Sequence, residues 1–243
     1  MKRRTLFALA AGPAGLWSLG SARAQPLPEV GTGRIERIEF TAPREVGARS
    51  VDVWLPADYS PLKRYQVLYM HDGQNLFDGR HAYGGKSWQA DMAVSRLVKA
   101  GRIADTIIVG VWNAGVERYA EYYPEKALAF APETARREYV DVASNGRSKT
   151  DAYLRFVVEE LKPAIDQRFA TRPGPQNTFL VGTSMGALVS IYAPAHLMVA
   201  EVLRERGYTA TDALKPVMPC TGHNEADWAA RLEVVLGFLM GSR

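Results

Sequence analysis

Gly182-Thr183-Ser184-Met185-Gly186 is a G-x-S-x-G pattern set between an apolar, β-prone run, Thr178 to Val181, and a helix-compatible run through Leu188, Ser190 and Ile191. Five residues alone are weak evidence. The strand before them and the helix after them make the pattern a candidate nucleophile elbow. Glycine on either side removes a side chain where the turn would collide with the neighbouring strand or helix. Ser184 is then held in a strained conformation with its hydroxyl above the sheet, and the chemistry on offer is attack on a carbonyl carbon. The Met185 N–H would point into the same space as a donor to the developing oxyanion. The competing reading is a glycine-bracketed turn that only connects strand to helix.

A serine hydroxyl needs a base at the same end of the sheet. Four histidines are available: His71, His81, His196 and His223. His223 is the best placed. Pro219-Cys220-Thr221-Gly222-His223-Asn224 follows an expected strand and precedes an expected helix from Glu225, and the serine comes before the histidine in chain order. The plainer alternative for His223 is a loop histidine beside a helix N-cap. His71 opens the loop His71-Asp72-Gly73-Gln74-Asn75, where its backbone position matters more than its ring, and His81 and His196 have no evident partner. No two histidines have zincin spacing, so neither a metal site nor a cofactor is expected. The single cysteine, Cys220, reads as a small strand-end residue.

The elements that must position these groups follow from hydrophobic period. Arg34 to Phe40 and Ser50 to Leu55 alternate, predicting an antiparallel pair. Gln66 to Met70 and Thr106 to Val111 are continuous apolar runs on either side of a helix predicted over Trp88 to Lys99 and closed by Gly101. Strand, helix, strand with such runs predicts a mostly parallel sheet covered by helices on both faces. Trp112 to Arg147 loses periodicity and reads as a long aromatic and charged loop including Tyr119, Tyr122, Tyr123 and Phe130; its part from Tyr119 to Phe130 reads as lining the acyl or sugar site, with packing as the plainer alternative. Helical spacing returns from Asp151 to Phe169. The 243 residues suit one α/β domain, 25–243, behind a targeting segment.

That segment is residues 1–24: a basic start (Lys2, Arg3, Arg4), an apolar stretch, and Ala22-Arg23-Ala24 as the cleavage signal. It predicts export to the periplasm or beyond, with Arg3-Arg4 resembling a twin-arginine signal. The segment holds Lys2, Arg3, Arg4 and Arg23 and no acid, so it carries all of the chain's net +4. The remainder is formally neutral, which argues against nucleic-acid binding, and no stable membrane insertion is expected.

His71-Asp72-Gly73-Gln74-Asn75-Leu76-Phe77-Asp78, Asp151-Ala152-Tyr153-Leu154-Arg155-Phe156, Glu160-Leu161-Lys162-Pro163, Gly182-Thr183-Ser184-Met185-Gly186 and Gly222-His223-Asn224-Glu225 together resemble the Putative esterase family. Its members are α/β-hydrolases related to enterochelin esterase, S-formylglutathione hydrolase and secreted carbohydrate acyl esterases. The resemblance implies Ser184 as nucleophile, His223 as general base, and backbone oxyanion donors from Met185 and from the loop at Gly73 and Gln74. It implies a small-molecule or carbohydrate ester as substrate.

One departure from the family is large. Relatives carry a catalytic acid on a strand between elbow and histidine, whereas positions 184 and 223 are only 39 apart here. One βαβ unit takes about 30 residues or more, so at least one strand-helix unit is expected to be missing near Pro194. Of the acids near His223, Asp212 lies at the far end of the expected strand Leu214 to Pro219, roughly 20 Å away at about 3.3 Å per residue. Asp227 reads as a first-turn acid facing an Asn224 cap, and Glu225 is awkwardly close in sequence. The readings left open are an active serine esterase, a catalytically impaired pseudoenzyme, and an acyltransferase on the same scaffold.

Overall fold

The computed structural model describes residues 25–124, 126, 128, 132–140, 146–196 and 224–241. The expected signal segment 1–24, the expected strand at Leu214 to Pro219, and Phe130, Asp212, Cys220 and His223 lie outside the described residues.

Among the described residues five strands form one sheet in the order β1-β2-β4-β3-β5, with β1 at Arg34–Phe40, β2 at Arg49–Leu55, β3 at Gln66–His71, β4 at Thr106–Val111 and β5 at Thr178–Val181. The expected antiparallel pair forms, Arg34 opposite Leu55 through Phe40 opposite Arg49. β2 is also antiparallel to β4, while β3 runs parallel to β4 and to β5. The sheet is therefore mixed, not mostly parallel. The half that carries the elbow, β4-β3-β5, is parallel as expected. Alternation along β2 groups its side chains by face and does not disclose which way the strand runs beside β4.

Alternation along the central strands divides the core between the two faces. Val67, Tyr69, Ile107 and Val109 pack on one face with Tyr122, Tyr153, Phe156, Leu161, Ile165 and Val189. Those side chains come from α2 (Arg118–Tyr122), from the helix that starts as α4 (Thr150–Arg155) and ends as α5 (Lys162–Arg168), and from α6 (Met185–His196). Leu68, Met70, Ile108 and Val181 face the other way, onto Trp88, Val94, Leu97, Leu232, Leu236 and Met240 of α1 (Ala90–Lys99), its lead-in, and α7 (Glu225–Met240). α7 is tied to α1 by Arg96 Nε on Glu233 Oε1 at 2.6 Å and by the edge contact of Trp88 with Trp228.

Two local features have clear causes. Gly101, at φ 65°, ends α1 as predicted: its N–H meets Val98 O at 2.9 Å and the Arg102 N–H meets Leu97 O at 2.9 Å. Between α4 and α5 the backbone stays helical through a π-helical segment, Phe156–Leu161. Pro163 stands two residues beyond it; it has no N–H for the carbonyl four residues back, which favours the wider turn there. The stretch predicted as loop contains α2 and a short α3 (Glu133–Glu138). No helix among the described residues is long and apolar enough to cross a membrane.

Candidate active site

β5 ends at Val181, α6 starts at Met185, and Ser184 between them has φ 53°. A non-glycine residue in the left-handed region is strained, and an elbow needs that strain to lift the serine clear of the sheet. Gly182 makes the bend possible. A Cβ there would stand 2.4 Å from the carbonyl carbon of Gly186 and 2.5 Å from its oxygen. Gly186 in turn sits against β3, where a Cβ would be 3.2 Å from His71 Cβ and 3.6 Å from Asp72 Oδ2. The turn closes through the Gly186 N–H on Thr183 O at 2.8 Å and the Leu188 N–H on Ser184 O at 3.2 Å. As the first helical residue, Met185 has an N–H without an intrahelical acceptor.

The second group of donors lies at the end of β3. Asp72 has φ 56° and ψ 48°, and Gly73–Asn75 forms a single 3-10 turn in which the Asn75 N–H bonds Asp72 O at 2.8 Å and the Leu76 N–H bonds Gly73 O at 3.3 Å. The N–H groups of Gly73 and Gln74 are thus unused within the turn. Gly73 is buried against β4, and a Cβ on it would come within 2.5 Å of Gly110 C and O. No other residue type fits that approach.

Ser184 and Gln74 line the same cleft, a cavity of about 550 Å³. Asp72, Asn113 and Arg118 form a polar wall, and His81, Tyr83, Tyr119 and Trp228 contribute an aromatic one. Glu225, two residues after His223 in the sequence, also lines it. Asp227 does not: its N–H bonds Asn224 Oδ1 at 3.1 Å while its own Oδ2 accepts from Asn224 Nδ2 at 2.7 Å. That is the expected cap.

The histidines separate clearly. The His71 ring is wholly buried, shares a 2.7 Å hydrogen bond between Nδ1 and Tyr153 Oη, and lies beside the Tyr122 and Tyr153 rings. Burial pushes its pKa down to about 4, with Asp72 pulling up and Arg118 down, so the ring is neutral at pH 7. Burial also raises the phenols of Tyr122 and Tyr153. His71 leads into the Gly73–Asn75 turn, and its ring is held by Tyr153 inside the core. His81 packs against Trp112, with ring centroids 5.7 Å apart, and its Nε2 is buried without a partner. His196 closes α6.

Sequence reasoning missed the polar wall. Arg118 grips Asp72 through Nε to Oδ1 at 2.7 Å and Nη2 to Oδ2 at 2.8 Å. Asn113 Nδ2 reaches Asp72 Oδ1 at 2.7 Å, and the Asn113 N–H reaches Gln74 Oε1 at 3.2 Å. Burial lowers the Arg118 pKa, but the Asp72 bond and charge outweigh it and the net shift is upward. The available signal was Asp72 itself, an acid at the end of a buried strand. Its partner lies 46 residues away in a segment without periodicity. Among the described residues no group of three His, Cys, Asp or Glu side chains could hold a metal ion.

A mixed sheet between helical layers, with a strained serine at a strand-to-helix turn, defines an α/β-hydrolase. Residues 46–197 match the Esterase family, described as Putative esterase, and the chain belongs to that family. It is 31% identical over 140 residues to the Uncharacterized protein YjcH of Bacillus subtilis (strain 168), across 57% of this chain and 46% of that protein. A 22% identical match over 165 residues is to an endo-1,4-beta-xylanase/feruloyl esterase of Xylanibacter ruminicola, across 66% of this chain and 19% of that one. The chain spans less than half the length of these curated relatives. Among solved structures, the BES protein from Bacillus cereus is similar with a TM-score of 0.54 and 15% identity, across 90% of this chain and 100% of that one. That likeness is one of fold.

Proposed function

We propose that the protein is an exported serine esterase that hydrolyses carboxylic esters through an acyl-enzyme on Ser184. The observation that carries this reading is Ser184 at φ 53°, at the mouth of a cleft it shares with the oxyanion loop. In the reaction Ser184 Oγ attacks the acyl carbonyl while His223 takes its proton. The N–H groups of Met185 and of Gly73 or Gln74 bind the oxyanion, and the alcohol leaves with the proton from His223. Water, activated by the same histidine, then releases the acid. The aromatic wall suits an aryl or glycosyl group, in keeping with the feruloyl esterase among the relatives. Residues 1–24 are an export signal in this reading, so N-terminal sequencing of periplasmic protein should begin at Gln25.

Covalent labelling by a fluorophosphonate tests the proposal. Peptide mass spectrometry should place the label on Ser184, and Ser184→Ala should abolish both label and turnover. Removal of a triad nucleophile leaves only ~10³–10⁴-fold acceleration over water. An unlabelled, folded parent chain would instead support the pseudoenzyme reading, which the short elbow-to-histidine interval favours. Transfer of the acyl group to added alcohols in preference to water would support the acyltransferase.

A further inference from the structure

We propose that Arg118 is a positioning residue for the oxyanion site: it neutralises the Asp72 carboxylate, which lies beside the N-terminal end of α6 where the oxyanion of the reaction would form. The inference rests on the ester-hydrolase reading of Ser184. Asp72 is 2% exposed, and its Oδ2 would be 3.6 Å from a Cβ on Gly186, in the first turn of α6. The N–H groups there favour negative charge. A bare carboxylate would therefore compete with the oxyanion for the same helix end and repel it at short range in a poorly solvated site.

Asp72 is nonetheless built into the loop. Its N–H donates to Tyr122 Oη at 3.3 Å, and Asn113 links its Oδ1 to the Gln74 side chain, so the carboxylate braces the turn that carries the second oxyanion donor. The bidentate guanidinium removes the charge while the geometry stays. Arg118 is itself held in place, its Cζ 5.2 Å from the Tyr122 ring centroid. The helix beneath is pinned by the fully buried Arg49–Glu121 pair, Nη2 to Oε1 at 2.6 Å. Removing one member of such a pair leaves an uncompensated buried charge, whereas replacing both by neutral groups removes the charge altogether.

Arg118→Gln, Asp72→Asn and the double variant test this. The readouts are the rate of fluorophosphonate labelling of Ser184, and kcat and KM on an activated aryl ester. Arg118→Gln should lower kcat and the labelling rate by about 10- to 100-fold, with KM little changed. The double variant should recover most of that loss. An Arg118→Gln protein equal to the parent, a loss in KM alone, or a double variant no better than Arg118→Gln would each overturn the proposal. If Arg118→Gln does not fold, Asp72→Asn decides: kcat at or near the parent value supports the charge argument, and a tenfold fall refutes it. A parent chain that neither labels nor turns over would instead defeat the ester-hydrolase reading and this proposal with it, while a labelled parent with an indifferent Arg118→Gln defeats the proposal alone.

Discussion

His71 shows at the level of one residue how a catalytic-looking side chain can serve the scaffold. Its ring is buried between Tyr122 and Tyr153 and its pKa is pushed down to about 4 from the ordinary 6.5. In the unfolded chain the imidazole takes up a proton below about pH 6.5; in the folded chain it does so only near pH 4. The unfolded state therefore binds more protons between those values, and stability rises with pH across that window. Acidification from pH 7 to pH 4.5 should cost on the order of 3 kcal/mol from this group. His71→Gln can keep a polar contact to Tyr153 without titrating. Urea midpoints at pH 7 and pH 4.5 should differ less for the variant than for the parent, and an equal pH dependence would show that His71 is not the group responsible. The position of His71, closing β3 just before the Gly73–Asn75 turn, was legible in the sequence. The ring's neutral state was not, because it comes from burial beside residues distant in the sequence, Tyr153 among them at 82 residues away.

The elements were legible wherever one period dominated. β1 to β5, α1 and the helix through Val157 and Ile165 fall where alternation or helical spacing placed them, and Gly101 ends α1 as expected. The reversed direction of β2 against β4 was not legible, since alternation shows which residues share a face and not which way a strand runs beside its neighbour. α2 was missed for another reason. It is only five residues long and is held by the Arg49–Glu121 pair and by Tyr122, not by its own periodicity. The elbow is the element whose sequence is most constrained, and it can be tested by one methyl group. Gly182→Ala would place Cβ 2.4 Å from backbone atoms of Gly186, which cannot move without shifting α6. Overpacking of this kind costs about 1–3 kcal/mol, a fall in Tm of roughly 2 to 12 °C for a chain of this size. Gly47→Ala, where a Cβ would meet nothing within 4 Å, is the control and should leave Tm unchanged. Equal melting of the two variants would mean that the elbow does not need its first glycine.

At the scale of the whole molecule the cleft is assembled from distant pieces: the β3 turn, the segment after β4, the loop containing His81 and Tyr83, the elbow, and the start of α7. Ser184 and Gln74 could be read from motifs, but Arg118, His81 and Trp228 enter only because the sheet order β4-β3-β5 brings their loops to one end. In the proposed mechanism His223 needs an acid to orient it. Asp227 is engaged with Asn224 at the cap of α7. Glu225 lines the cleft, and its Oε2 lies 4.0 Å from where a Cβ on Gly84 would be, toward the opposite rim. The 39 positions from 184 to 223 leave room for a helix and one strand, not for the acid-bearing strand of the family as well. Without a carboxylate the imidazolium formed during attack is poorly stabilised and its tautomer is free, a loss that reaches ~10⁴-fold in serine proteases. The expected outcome is slow but detectable labelling of Ser184 together with kcat/KM on an activated aryl ester well below ~10⁴ M⁻¹s⁻¹, the lower end of ordinary enzymes. Glu225→Gln should leave that residual rate unchanged. If the parent instead turns over at or above that value and Glu225→Gln removes most of the activity, then Glu225 is the triad acid, supplied by the first turn of α7.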